Sequence, residues 1–181
     1  MKRLFLMGCL ATVCLLVACN DETSKEARIA EQESKMTTAD QSTVGFEMSN
    51  GEVKEETNLS NEEKTAIIQS FNEYIDAFNA QDVERYMATL ATKDSNFNLE
   101  DERKAAEEAF STYEIERIAE DVTLTKYDES LQQANVYATL KVNLVERETS
   151  ATLSSIGRQV TVLSKEDGDW KVASIYYIGE E

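Results

Sequence analysis

The 181-residue chain contains no histidine, and this absence removes the commonest general base and the commonest protein ligand for metal ions. It has three cysteines, of which Cys9 and Cys14 lie inside an apolar N-terminal segment. Mechanisms that pair a serine or cysteine nucleophile with histidine are therefore excluded for this chain alone. Any catalysis would have to use carboxylate, tyrosine or lysine side chains, and we expect neither a metal ion nor a cofactor.

Basic residues are scarce, because 18 lysines and arginines stand against 35 aspartates and glutamates. Lys2 and Arg3 precede the apolar segment and every acidic residue follows Cys19, so the chain from Cys19 onward carries 16 − 35 = −19. Nucleic acids and anionic lipid surfaces both attract basic patches, so this charge argues against either as a partner. It is typical of a well-solvated surface, and a cationic partner is the alternative.

Long apolar runs are absent beyond one N-terminal stretch. That stretch spans 14 residues, 4–17, and as a helix it would measure about 21 Å, shorter than the roughly 30 Å hydrocarbon core of a bilayer. Lys2 and Arg3 precede it, and a polar run begins at Asn20. The stretch therefore predicts a cleaved signal peptide over residues 1–18.

The signal peptide ends in Leu16-Val17-Ala18-Cys19, which resembles the lipobox of bacterial lipoproteins. The resemblance implies that the Cys19 thiol receives a diacylglyceryl group and that a signal peptidase cuts between Ala18 and Cys19. We therefore predict a palmitate-type lipid anchor on the extracytoplasmic side of the cell membrane, in either the inner or the outer membrane. Cys19 would then be the one thiol of the mature chain, which excludes an internal disulfide.

Residues 19–58 are predicted to form a lipidated, acidic and disordered tether. Residues 20–58 carry 10 acids and 4 bases with few large apolar side chains, so they bury too little surface to offset the entropy of ordering. Val44-Gly45-Phe46-Glu47-Met48 is the one apolar patch, which either docks on the domain or a partner, or stays an unstructured spacer. A single folded domain is predicted over 59–181.

Three helices are predicted at the start of this domain. Ser60, with Glu63 three positions on, has the pattern of a capping box that opens a helix running to about Ala80. Asp82 and Asn98 are predicted to cap two further helices. The first helix carries its apolar residues at helical spacing on one face: Ile67, Phe71, Tyr74, Ile75 and Phe78.

From Glu114 onward, apolar residues recur at every second position instead of at helical spacing. This alternation predicts about four antiparallel strands with one buried face. Asp167-Gly168 supplies the turn of the last hairpin. Helices followed by an antiparallel meander predict the α+β class. The predicted strand faces are Ile118, Val122 and Leu124; Val136, Ala138, Leu140, Val142 and Leu144; Ile156, Val160 and Val162; and Trp170, Val172, Ser174 and Tyr176.

This order of elements is similar to the nuclear transport factor 2-like (NTF2-like) superfamily, which includes ketosteroid isomerase-like and polyketide cyclase-like proteins. The resemblance covers residues 59–181 and rests on two stretches, 74–87 at the end of the first helix and 157–174 in the last hairpin. Gly168-x-Trp170-Lys171-Val172 is its more specific element. The resemblance implies a cone-shaped domain in which a curved sheet wraps around the first helix, often leaving a pocket at the open end.

Aromatic residues are the candidates for lining that pocket. Isomerase-type members use a tyrosine of the first helix with acidic residues in the pocket, so the resemblance implies Tyr74 for that role, with Asp94 and Asp121 as candidate acids. Tyr74 and Trp170 also fit purely structural positions in a core. The candidate ligand-binding residues are Tyr74, Tyr86, Trp170 and Tyr176.

Three functions follow from this reading. We expect a tethered, non-catalytic domain that binds a small apolar ligand or a protein partner of the cell envelope. The alternatives are a lipid-anchored isomerase, dehydratase or cyclase that uses tyrosine and carboxylates, and a structural module that forms a homodimer through its sheet. Fold alone does not choose among them.

Overall fold

Helices come first and strands follow in the described part of the computed structural model, which comprises residues 48–49, 52–93 and 95–178. The helices are α1 (Asn61–Asn79), α2 (Val83–Ala88) and α3 (Leu99–Thr112). Two short strands, β1 (Met48–Ser49) and β2 (Glu52–Val53), pair with each other. The predicted signal peptide, Cys19 and most of the predicted tether lie outside the described residues.

The main sheet has four antiparallel strands in the order β3-β4-β5-β6. They are β3 (Tyr113–Asp128), β4 (Gln133–Glu146), β5 (Thr152–Glu166) and β6 (Asp169–Ile178). Three helices followed by a curved antiparallel sheet confirm the predicted α+β class and the NTF2-like cone. None of the helices in the described ranges has the length and hydropathy that crossing a bilayer requires.

Local capping explains where each helix begins. The side chains of Ser60, Asp82 and Asn98 accept hydrogen bonds from the first-turn amides of α1, α2 and α3, as predicted. The capping box is only half formed, because the Glu63 carboxylate accepts from the Trp170 indole N–H at 2.8 Å and from Lys165 at 2.7 Å. A residue predicted to act locally therefore joins α1 to the last hairpin.

The core forms where α1 packs on one face of the main sheet, called the inner face below. Ile67 and Phe71 are fully buried there, and the α1 residue Phe78 contacts Tyr86 and Phe110 edge-on, with ring centroids 5.2 and 4.8 Å apart. Burying a large apolar side chain contributes about 1.5–3 kcal/mol, so this cluster accounts for much of the stability. A domain without disulfides relies on such a core.

A β-bulge in β3 corrects the first predicted strand face. The register shifts between Glu120 and Thr123, and Asp121 adopts the left-handed region with φ of 54°. One extra residue turns every side chain beyond it to the opposite face. Ile118 therefore lies on the outer face, 40 % exposed, whereas Val122 and Leu124 pack against the core.

A second correction concerns β6, where Trp170, Val172, Ser174 and Tyr176 were predicted to share one face. Val162 pairs with Ser174 but Leu163 pairs with Val172, so Ala173 is an extra residue. This bulge leaves Trp170 and Val172 on the inner face and turns Tyr176 outward. Ile175 and Tyr177 take the inward positions instead.

Strand β5 also differs from the prediction that Ile156, Val160 and Val162 mark a core-facing side. Val160 pairs with Tyr137 and Tyr176 across the outer face. The inner face of β5 instead carries Gly157, Gln159, Thr161 and Leu163. Both faces of β5 hold apolar side chains, so the period of two could not identify which face meets the helix.

The N-terminal boundary of the domain was placed by prediction at residue 59. Contacts with the described domain begin slightly before it, because the Glu56 amide donates to the Leu124 carbonyl at 2.8 Å and Glu55 forms an ion pair with Lys64. The Glu56 contact supplies a partner to the open edge of β3. The assignment of residues 19–58 as a tether stays a prediction.

Candidate functional site

Arg117 is the one arginine that β3 presents on the inner face of the sheet. It pairs with Val142 on β4, which in turn pairs with Ser155 on β5, beyond the C-terminal end of β6. The Asn79 side-chain amide fixes its backbone, accepting from the Arg117 N–H at 2.7 Å and donating to its carbonyl at 2.8 Å. The last residue of α1 thus holds the edge strand in place and positions Arg117.

The Arg117 guanidinium lies among aromatic rings rather than carboxylates. It donates to the Tyr74 hydroxyl at 3.0 Å and stacks on the Phe78 ring, 3.3 Å from the centroid. Its buried Nε has no hydrogen-bond partner, and Arg117 forms no ion pair with any residue that the structure describes. Cation–π contact offsets part of the cost of desolvating such a charge, but an anion would offset more.

A second unpaired polar atom lies on the same face of the sheet. Gln159 is fully buried; its amide nitrogen donates to the Thr161 hydroxyl at 2.7 Å, but its Oε1 has no partner among the residues described. A buried acceptor without a donor is costly, so it is satisfied by a water or a ligand in most proteins. Gln159 and Arg117 therefore offer one acceptor and one donor from the inner face.

Open space lies on the same face of the sheet, at Gly157. Gly157 pairs with Leu140 on the inner face, and a methyl group added at its Cα would meet no atom within 4 Å. The apolar residues nearest the end of this face are incompletely covered, with Leu153 56 % exposed. Tyr177, paired with Gln159, is 37 % exposed at the same end. We call this region, defined by Tyr74, Arg117, Leu153, Gly157, Gln159 and Tyr177, the open-end site.

Tyr74, a predicted site residue, is 1 % exposed, and its hydroxyl accepts a hydrogen bond from the Arg117 guanidinium. Burial raises its pKa above the ordinary value for tyrosine, and the neighbouring Arg117 cation opposes that rise. The phenol is therefore neutral at physiological pH. Its hydroxyl accepts from Arg117, and no carboxylate in the described ranges bonds to it.

Tyr86 lies deeper, 1 % exposed, with its ring 5.7 Å from that of Tyr74. Its hydroxyl donates to Glu102 at 2.6 Å, and burial raises its pKa well above the ordinary value. The bond joins α2 to α3 and satisfies a buried phenol. The contacts of Tyr86 are those of a core residue.

The other two predicted aromatics lie away from Arg117. Trp170 is 4 % exposed and packs against Tyr127 with centroids 6.4 Å apart. Tyr176 lies on the outer face, where its hydroxyl accepts from Asn96 at 3.5 Å. Of the four predicted ligand-binding residues, only Tyr74 contacts Arg117.

The candidate acids do not converge on Tyr74. Asp121 is exposed at the β3 bulge, where its carboxylate accepts from the Thr139 hydroxyl at 3.3 Å on the outer face. Asp94 lies outside the described residues. Among those described, no group of three or more Cys, Asp or Glu side chains is arranged to hold a metal ion.

A separate surface groove of about 390 Å³ runs between α1 and the open edge of β3. Arg117 borders it, but its lining also includes the carboxylates of Asp76 and Glu116 and the amides of Asn72 and Asn79. This mixture of charges differs from the open-end site, whose defining residues include one cation and no carboxylate. The groove is therefore a less selective surface for an anion.

Sequence reasoning missed Arg117, Gly157 and Gln159, and of the neighbours Tyr176 and Tyr177, which point to opposite faces of a strand, it selected Tyr176. One signal was present: Arg117 stands between Ile115 and Ala119 in an alternating run, which places a charge on a face that is otherwise apolar. The choice of Ile118 as the inward residue hid this signal. No local pattern could have indicated Tyr177, because its direction depends on the bulge at Ala173.

Several solved structures share this architecture. A protein assigned as an aromatic ring hydroxylase from Novosphingobium aromaticivorans superposes with a TM-score of 0.60 and 14 % identity, over 68 % of this chain and 93 % of that one. A protein assigned as a dehydratase of the NTF2-like family from Streptomyces avermitilis superposes with a TM-score of 0.58 and 11 % identity, over 67 % of this chain and 99 % of that one. A protein of unknown function with a cystatin-like fold from Nostoc punctiforme superposes with a TM-score of 0.53 and 17 % identity, over 68 % of this chain and 96 % of that one. These likenesses show the fold alone.

The chain thus contains a domain with the NTF2-like fold, in which Arg117 on the inner face forms no ion pair with the described residues. Residues 66–178 match the family described as the C-terminal domain of anti-sigma-I factor RsgI9, and the chain belongs to that family. The match spans more than half of the sequence, from the second turn of α1 to the end of β6. No curated protein sequence matches the chain.

Proposed function

We propose that this protein is a lipid-anchored, extracytoplasmic binding protein whose NTF2-like domain holds a small, largely apolar ligand at the open-end site without transforming it. The anchor rests on the sequence of the signal peptide and on Cys19. The binding role rests on the open space at Gly157, which is bordered by half-covered apolar side chains and two unpaired polar atoms. Concave apolar surfaces with a few polar groups are typical of ligand sites.

The side chains around the site support binding rather than chemistry. General acid–base catalysis needs a proton donor or acceptor with a pKa near the working pH. Tyr74 is neutral and already bonded to Arg117, while Glu102 bonds to Tyr86 in the core. Some proteins with this fold are assigned as dehydratases, but no observation on the described residues favours the enzymatic alternative. Membership of a family named for an anti-sigma factor is compatible with a sensing or recognition role.

Filling the open space should block the ligand. We expect Gly157→Leu to weaken binding of a neutral apolar probe, 4-phenylbutanol, by at least tenfold, because the new side chain occupies the site. Gly157 has an ordinary β-strand backbone, so a larger residue at this position does not strain it. Gly157→Ala adds one methyl group and should change the affinity by less than about threefold.

The measurement is isothermal titration calorimetry on the full chain in detergent micelles, with the heat of the probe entering empty micelles subtracted. Circular dichroism of each variant verifies folding. If 4-phenylbutanol does not bind the wild-type chain, or binds Gly157→Leu as tightly as the wild type, the open-end site is not the binding site for apolar ligands.

The homodimer through the sheet stays a prediction. The outer face carries Ile118 and Ile156, which are 40 % and 52 % exposed on either side of Lys141. Lys141 pairs with Glu120 at 2.7 Å, so its charge is partly neutralised. Sedimentation equilibrium of the full chain, in detergent matched to the solvent density, distinguishes one copy from two.

A further inference from the structure

We propose that the ligand of the open-end site carries a carboxylate, which binds to the guanidinium of Arg117 while the apolar body of the ligand lies over Gly157. This inference rests on the proposed function and names the chemical class of its ligand. Guanidinium and carboxylate are complementary in shape and charge, and their hydrogen bonds are among the strongest in proteins.

The first argument is the contrast between Arg117 and two surface arginines, Arg85 and Arg103. Arg85 donates from Nε and Nη2 to the two oxygens of Glu73, at 2.7 and 2.8 Å, and Arg103 pairs with both oxygens of Glu84. In a chain with nearly twice as many acids as bases, carboxylates are plentiful. Arg117 nevertheless has none from the described ranges and keeps a buried Nε without a partner.

The second argument is the cost of leaving this cation unpaired. A desolvated charge without a counter-ion is unfavourable, and the Phe78 ring and one phenol oxygen offset only part of that cost. A ligand carboxylate would complete the set of partners. The cost of the unpaired guanidinium therefore favours anionic over neutral ligands of equal size.

The third argument is the direction of the Tyr74 hydroxyl bond. Its oxygen accepts from Arg117, so its proton is available to a ligand oxygen. Because Tyr74 is neutral, it is a donor rather than a competing anion. Arg117 and Tyr74 can therefore both donate to a carboxylate, and Asn79 fixes the Arg117 backbone.

The net negative charge of the chain repels anions at long range. Salt at about 0.1 M screens charges beyond roughly 10 Å. Distant surface carboxylates therefore repel the ligand only weakly, whereas the attraction between the ligand carboxylate and Arg117 at contact distance is retained. The affinity test is therefore done near physiological ionic strength.

The test compares two probes that differ in one group, 4-phenylbutyrate and 4-phenylbutanol. Both are titrated into the full chain in micelles and followed by calorimetry with the same micelle blank. We expect the acid to bind at least tenfold more tightly than the alcohol. Arg117→Met should reduce that ratio to about one, because it retains apolar bulk but removes the charge.

Two variants control for loss of structure and for general charge effects. Arg117→Lys keeps a cation without the planar fork and should retain part of the preference for the acid. Arg85→Met removes the same positive charge from a surface position. It should leave the tenfold preference for 4-phenylbutyrate over 4-phenylbutanol unchanged. Circular dichroism reports folding for each variant.

The outcomes separate the two proposals. Equal binding of acid and alcohol to the wild-type chain would refute the carboxylate inference and leave the apolar site intact. A preference for the acid that survives Arg117→Met in a folded chain would also overturn it. If the acid fails to bind at all, the inference fails, and the 4-phenylbutanol titration with Gly157→Leu decides separately whether the proposed function fails with it.

Discussion

Trp170→Ala is expected to destabilise the domain by about 3–5 kcal/mol, the usual cost of deleting a large buried aromatic side chain. The indole is 4 % exposed, packs against Tyr127 and donates to the Glu63 carboxylate at 2.8 Å. The truncation would leave a cavity between α1 and the last hairpin. It would also remove one of the two donors that lower the pKa of Glu63, the larger being Lys165.

Urea unfolding followed by far-ultraviolet circular dichroism measures this change, since Trp170 is the single tryptophan and fluorescence would be lost with it. Trp170→Phe keeps most of the apolar contact and loses only the N–H donor, so we expect a cost of about 1–2 kcal/mol. Tyr177→Ala removes a partly exposed aromatic of the same strand and should cost about 1 kcal/mol or less. A cost below about 1 kcal/mol for Trp170→Ala would contradict a core role and return Trp170 to the list of ligand-binding candidates.

Cys19→Ala is expected to abolish lipid attachment completely when the chain is produced in a bacterium that processes lipoproteins. The thioether to diacylglycerol can form only at a thiol, and the lipobox resemblance assigns that thiol to Cys19. Intact-mass spectrometry should show the wild-type chain beginning at residue 19 with a diacylglyceryl group and further acylation. The variant should carry no lipid and should not be cut between residues 18 and 19.

Cys9→Ala and Cys14→Ala are matched controls, because both thiols lie within the predicted signal peptide and should have no effect on the mature mass. Two acyl chains give stable anchoring where one is marginal, so extraction of the wild-type protein should require detergent. An unmodified Cys19 in the mature chain would disprove the lipoprotein assignment, whatever the ligand experiments show.

Much of the fold could be predicted from sequence, because the relevant signals are local. Ser60, Asp82 and Asn98 cap their helices through their own side chains, so three residues of context suffice. Asp167 and Gly168 both adopt positive φ in the last hairpin turn, as the dipeptide predicted. The lipobox is equally local, although its consequence at Cys19 stays a prediction.

The site could be predicted only in small part. Tyr74 was identified because its position on α1 follows from helical spacing, which the sequence shows directly. Tyr176 was chosen in place of Tyr177, and Ile118 in place of its neighbour Arg117, because each choice assumed unbroken alternation along a strand. Both errors have the same physical cause, a single extra residue that changes which side chains face inward.

The order of the helices and strands, the helix caps and the absence of histidine chemistry all follow from the amino-acid sequence, since they depend on composition and short-range contacts. Tertiary structure alone decided which strand residues face α1, through the bulges at Asp121 and Ala173. It also decided that Arg117 has aromatic neighbours instead of a carboxylate, and that Gly157 faces open space. Such features arise from residues far apart in the chain, because only the packing of α1 against the curved sheet brings them together.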